Sequence, residues 1–217
     1  ILGRAGGEAS ADIVLRVRLP RLVLGLLVGA ALATAGVIFQ ALLRNPLADP
    51  YVLGVSGGAA LAAIVVLALG GLLGISASFV PIAAFGGGLV ATALLYWVSG
   101  GPGRSGPTGL LLTGVVFNAF ASAGIVFLAS IAGFFDGSRI FLWLIGHLSA
   151  VDIDAAGLVA ASVAFGFLVA CALSRSLNLI ALGDETAAQL GVPVEMHRRL
   201  LLLSTSLMVG AAVAVSG

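Results

Sequence analysis

The 217 residues are 60% hydrophobic and 9% charged, where soluble domains carry about 25% charged residues, and no charge falls between Tyr51 and Gly103. A soluble globular domain is thereby excluded; so is a transmembrane barrel, whose strands of ~10 residues would alternate in polarity, which these apolar runs do not. The net charge of +1, with ten arginines and no lysine, offers no basic surface for nucleic acid.

Residues 1–21 are polar, with Arg4, Glu8, Asp12, Arg16, Arg18 and Arg21, and Pro20 interrupts them. An uncharged run at 22–43 follows; about 20 helical residues cross a bilayer core of ~30 Å, so this run predicts a membrane span. The polar knot Arg44-Asn45-Pro46-Leu47-Ala48-Asp49-Pro50 comes next. Its Asn-Pro and Asp-Pro pairs are turn signals, and Arg44, Asn45 and Asp49 suit the capping of helix ends. A second span is expected at 51–73, a turn at 74–78, and a third span at 79–98 with Pro81 near its start, where proline is tolerated. Glycine and proline mark 99–109 as a loop. A fourth span at 110–132 is broken by the sequence GFFDGSR. The apolar piece 140–148 is too short to cross and reads as an interfacial or re-entrant helix, with a polar exit at 151–154. A fifth span occupies 155–173, and a sixth begins at Leu200 after the longest polar stretch, 174–199. Ile1 in place of Met, and a last residue, Gly217, within an apolar run, predict a piece of a longer chain.

Six spans alternate sides. Arg4, Arg16, Arg18, Arg21 and Arg139 fall on one side and Arg44, Arg104, Arg175, Arg198 and Arg199 on the other. The excess of cytoplasmic arginine that normally sets orientation is therefore absent. The spans themselves contain no charged residue, whereas a transporter driven by an ion gradient usually carries one within the membrane.

Four stretches could carry chemistry. Gly54-Val55-Ser56-Gly57-Gly58 matches the G-x-S-x-G nucleophile pattern, which makes an intramembrane serine protease built on Ser56 the alternative function. It needs a nearby base, and only His147 and His197 exist. Without a base, the glycines serve close helix packing at a helix start. Pairs spaced as GxxxG occur at Gly25/Gly29, Gly54/Gly58 and Gly70/Gly74, as so glycine-rich a chain produces by chance. Trp143 and His147 would share a face of a 140–148 helix, and His147 is a lone candidate metal or haem ligand. In the stretch 174–199, Asp184 and Glu185 suit a helix start, Gly191 a C-terminal cap, and Val192-Pro193 a restart. A short helix projecting from the membrane is expected there. Leu182, Ala187 and Leu190 give it an apolar face for a partner's groove. Cys171 is the one cysteine and makes no intrachain disulfide.

Two long segments, RLPRLVLGLLVGAALATAGVIFQALLRNPLADPYVLGVSGGAA and ALGDETAAQLGVPVEMHRRLLLLSTSLMVGAAVAVSG, together with WLIGHLSAVD between them, resemble the FecCD family. These are permease subunits of ATP-binding-cassette importers for iron–siderophores, haem and cobalamin. The resemblance implies an all-α polytopic transmembrane bundle of the type II importer permease fold, with about six of its about ten spans present in a single domain, 1–217, truncated at both ends. It implies a bacterial or archaeal cytoplasmic membrane, with 1–21 as a periplasmic segment leading into the first span and 174–199 as a cytoplasmic coupling loop.

The resemblance also implies partners and roles. The partners are a second permease copy, two cytoplasmic ATPase subunits and a periplasmic binding protein. The chain would be no enzyme and bind no cofactor or metal of its own, with ATP and Mg held on the ATPase subunits. Arg18 and Arg21 match arginines that dock the binding protein. Gly183, Asp184, Glu185, Ala187, Ala188, Gln189, Leu190, Gly191 and Val192 match the element coupled to the ATPase. Ser56, Gly57, Pro107 and Thr108 map to the inner gate, although Gly57 stands where cobalamin-importing members carry asparagine. Iron–siderophore is the expected cargo, ahead of cobalamin and haem.

Overall fold

The computed structural model describes residues 13–99, 106–148 and 153–217. Residues 1–12 of the expected polar segment, the loop centre 100–105 with Arg104, and residues 149–152 with the start of the polar exit lie outside them. All secondary structure among the described residues is helical.

Helix α1, Val14–Leu43, runs for 30 residues, about 45 Å at 1.5 Å per residue. It starts well before Leu22. Pro20 does not interrupt it because the first turn, Val14–Arg18, is a π-turn in which Leu19 N–H reaches back to the Val14 carbonyl. Proline has no N–H and its ring crowds the carbonyl four residues back; a wider turn just ahead of it relieves that clash. A bilayer core uses only about 20 of these residues, so the end bearing Arg16, Arg18 and Arg21, all exposed, stands clear of the apolar slab.

After the knot, residues 51–54 form a turn closed by Gly54 N–H on the Tyr51 carbonyl at 3.0 Å. Helix α2, Val55–Leu73, therefore begins four residues later than the hydropathy suggests. A 3₁₀ turn, Ala77–Phe79, capped by the Ser76 hydroxyl, leads to α3, Val80–Val98. Helix α4, Pro107–Ile131, opens on its proline, so Pro107 and Thr108 form a first helical turn and not loop. The fourth span ends at Ile131, just ahead of GFFDGSR as expected, but GFFDGSR itself is helical: after a bend at Ala132 the chain re-enters helix α5, Gly133–Ile145. Helix α6, Ile153–Ala172, bends by 62° into α7, Ser174–Leu182. Helix α8, Asp184–Gln189, and α9, Val194–Ser216, complete the described chain.

Four of these helices are long and apolar enough to cross a membrane, and the bent pair α6–α7 adds a fifth crossing if taken as one span. Helix α9 lies at the centre, packed on α1, α2, α3 and α6, with Leu201, Met208, Val209 and Ala211 buried. Its Ser206 hydroxyl meets Thr92 of α3 at 2.6 Å. Helices α2 and α3 touch at their glycines. A Cβ on Gly58 would lie 2.4 Å from the Ala91 Cβ and 2.8 Å from the Gly87 carbonyl oxygen.

Candidate functional site

One end of the bundle gathers the C-terminal end of α1, the C-terminal end of α3, α7, α8 and the start of α9. Charge is concentrated there. Asp184, first residue of α8, binds Arg44 through one carboxylate oxygen and Arg198 through the other, the latter at 2.7 Å. Arg44 also donates from Nε to the Ile180 carbonyl of α7 at 3.1 Å. Arg198 is buried, at 3% exposure, and lies 3.5 Å from Glu195. Burying a guanidinium is tolerable only when it is paired and hydrogen-bonded, and Asp184 with Glu195 does that here. Tyr96 of α3 donates its hydroxyl to Glu195, and Arg199 Nε donates to the Tyr96 oxygen at 2.8 Å. The network thus joins five helices, α1, α3, α7, α8 and α9.

Helix α8 is bracketed by two glycines with positive φ, Gly183 at 141° and Gly191 at 82°. After Gln189 the chain closes a Schellman motif: Gly191 N–H bonds the Ala188 carbonyl and Val192 N–H that of Ala187, both at 3.0 Å. The cap anticipated at Gly191 therefore forms. Ala187 is fully buried and faces inward, while Leu182 and Leu190 are 73% and 61% exposed. The outer surface thus comprises Leu182, Glu185, Ala188, Gln189 and Leu190, and Ala187 is not part of it. Beside it runs a groove of about 390 Å³ lined by Arg175, Leu179, Leu190, Val192 and His197.

Ser56 lies in the first turn of α2, 4% exposed, and its hydroxyl has no hydrogen-bond partner. Neither histidine serves it as a base. Gly57 packs on α4: a Cβ there would fall 2.2 Å from Asn118 Oδ1. The Asn118 amide in turn donates to the Tyr51 carbonyl at 2.9 Å. An amide thus reaches this spot from α4. Pro107 and Thr108 lie on the same α4 helix about 15 Å or more from Asn118 along the axis, so Gly57 packs against the middle of the helix and not its first turn.

At the opposite end of α1 stand the exposed Arg18 and Arg21. His147 follows the end of α5 and does not share a helical face with Trp143, because Gly146 (φ 77°) has already turned the chain. His147 N–H bonds the Ser216 carbonyl at 2.7 Å. Among the described residues no group of three or more His, Cys, Asp or Glu is placed to hold a metal.

Sequence reasoning missed the roles of Arg44, Tyr96, Glu195, Arg198 and Arg199. The i,i+3 and i,i+4 spacing of Glu195 to the two arginines was a readable signal. The partnership of Arg44 with Asp184, 140 positions apart, was not.

The profile of the FecCD transport family matches residues 1–217. The chain is 38% identical to the uncharacterised ABC transporter permease YvrB of Bacillus subtilis, over 98% of this chain and 62% of that one. It is 39% identical to the hemin transport system permease HmuU of Yersinia pestis, over 97% and 63%. It is 38% identical to the vitamin B12 import permease BtuC of Citrobacter koseri, over 94% and 61%. The chain thus spans under two thirds of the length of these relatives. A solved structure described as a metal-chelate type ABC transporter in an inward-facing conformation superposes with a TM-score of 0.87 at 27% identity, over 97% of this chain and 66% of that one.

Proposed function

The chain belongs to the FecCD transport family, and on that premise we propose that it forms the transmembrane permease subunit of an ATP-binding-cassette importer. Its cargo is a metal chelate, with iron–siderophore first and cobalamin or haem next. The chelate moves from periplasm to cytoplasm across the cytoplasmic membrane. Two permease copies enclose the pathway, a periplasmic binding protein delivers the cargo, and two ATPase subunits hold and hydrolyse ATP with Mg. No chemistry is done on the cargo, so the subunit is not itself an enzyme.

The observation that carries this proposal is the pairing of two unlike surfaces at opposite ends of α1. A protruding arginine-bearing helix end suits an acidic partner outside. A short helix with exposed Glu185, Gln189 and Leu190 beside a groove suits a partner inside. Closure of the ATPase dimer pushes α8, and the bundle responds by rigid-body rotation that opens the pathway to one side at a time. Pro107 and Thr108 would lie at the cytoplasmic end of that pathway, with Ser56 and Gly57 about 15 Å deeper along α4 in its gated part.

The test is reconstitution with the cognate ATPase and binding protein. ATP-dependent uptake of the chelate held by the binding protein is expected. Deleting residues 184–189 should abolish uptake while membrane insertion persists. Uptake that continues in the deletion, or proceeds on an ion gradient without ATP, would refute the assignment.

A further inference from the structure

Asp184 belongs to the element expected to touch the ATPase, yet its carboxylate is used within the chain. One oxygen holds Arg44 and the other Arg198, and Arg44 also holds the Ile180 carbonyl. A single acidic group therefore ties α8 to the C-terminal end of α1, to the N-terminal end of α9 and, through Arg44, to α7. The Arg198 side chain is only 4% exposed, so its charge requires the acid it faces.

The backbone gives an independent indication. Arg44, at φ 50°, is the one non-glycine residue with positive φ among the described residues. It ends α1 in the same kind of cap that Gly191 gives α8: Arg44 N–H bonds the Ala41 carbonyl and Asn45 N–H that of Gln40. Glycine is the usual occupant of that position, since an L side chain disfavours the left-handed region. Here the position holds a long cation whose head lands on Asp184. Strain of this kind persists where the side chain has a use that the backbone alone would not select.

The glycines around α8 show why such a tie matters. Gly183 and Gly191 both have positive φ, so neither connection carries the helix geometry on from α7 through α8 into α9. Side-chain contacts, and not a continuous helix, must then carry a push on α8 to its neighbours. The ionic tie converts it into displacement of α1 and α9.

We infer that Arg44, Asp184 and Arg198 form a clasp that passes movement of α8 to the membrane helices, so that Arg44 and Asp184 are positioning residues and not contacts for the ATPase. The inference rests on the importer assignment for its purpose, but not for its geometry.

The experiment uses the assembled importer in proteoliposomes, and the permease alone for hydrogen exchange. Arg44→Gly is the central variant, because glycine accepts the φ of this site and the fold should be retained with an unchanged or higher melting temperature. It should keep the ATPase in the complex but lower chelate transported per ATP by about tenfold, within the usual range of coupling between sites. Asp184→Asn should do the same at a lower melting temperature, because it removes the acid that faces the buried Arg198, and Asp184→Glu should restore at least half of the lost coupling. In the permease alone, the α8 amides should exchange about tenfold faster in both Arg44→Gly and Asp184→Asn, because the local tie is gone. Wild-type coupling in Arg44→Gly, release of the ATPase by Asp184→Asn, or unaltered exchange in α8 would each overturn the clasp. Absence of ATP-driven uptake by the wild-type complex would sink the importer assignment instead, and the exchange measurement would still decide the clasp.

Discussion

A single methyl group separates the demands on Gly87 and Gly88. A Cβ on Gly87 would lie 2.4 Å from the Gly58 carbonyl oxygen and 2.5 Å from the Ala62 Cβ, whereas one on Gly88 meets Val55 Cγ1 at an ordinary 3.5 Å. Gly87→Ala should therefore cost about 1–3 kcal/mol by forcing α2 and α3 apart. Gly88→Ala should be neutral, or gain up to about 1 kcal/mol from the better helix former. Thermal unfolding in detergent distinguishes them, and equal melting points would refute the close approach of the two helices. The spacing of glycines along one helix does not reveal this. Gly54 and Gly58 are four apart, but the contact that matters is Gly58 on Gly87, between two helices. Ser56 shows the same limit from the other side. Its neighbours spell a nucleophile pattern, and only the fold shows its hydroxyl to be buried with no base beside it.

At the scale of elements, α8 was legible because its signals are local: paired acids at its start, glycine at its end, then Val192-Pro193. Helix α7 was not. Ser174, Arg175, Ser176 and Asn178 make that stretch read as polar loop, yet Leu177 and Ile180, three apart, are both buried beneath it. Tertiary burial of these two residues outweighs the four polar ones. Helix α1 was cut short for a related reason: Pro20 and three arginines look like a boundary, but the π-turn absorbs the proline. The exposed leucines that flank α8 yield a direct prediction. Leu182→Asp with Leu190→Asp should reduce capture of the ATPase by about tenfold or more, as loss of apolar anchors at an interface does. The permease itself should keep its melting temperature, because both residues are largely exposed and surface changes stay within about 0.5 kcal/mol. Ala187→Asp, which buries a charge, should instead destabilise the permease. Full capture by the double variant would place the docking surface elsewhere.

For the whole molecule, charge counting leaves orientation undecided, whereas the length of α1 fixes the relation between its two ends. A 30-residue helix of about 45 Å cannot keep both ends on one side of a ~30 Å core while its uncharged middle lies within it. Arg18 and Arg21 must then face opposite to Arg44, and α8, clasped to Arg44, must share its side. In a Cys171→Ser background, an impermeant thiol reagent applied to intact cells should label Arg18→Cys and leave Gln189→Cys untouched until the membrane is opened. Labelling of both from outside would break the assignment of α1 as a span. The same geometry makes the outer arginines available to a soluble partner. Arg18 and Arg21 are exposed and three residues apart, so they lie on neighbouring positions of one helical face. Opposite charges on a binding protein would gain from them chiefly in encounter rate, and that gain is screened over about 8 Å at physiological ionic strength. Arg18→Glu with Arg21→Glu should weaken docking about tenfold at low salt. Wild-type docking should fall as salt rises, and the double variant should lose most of that salt dependence. Affinity in a pull-down that is unchanged by the charge reversal, at low salt and high, would put the binding protein on a different surface.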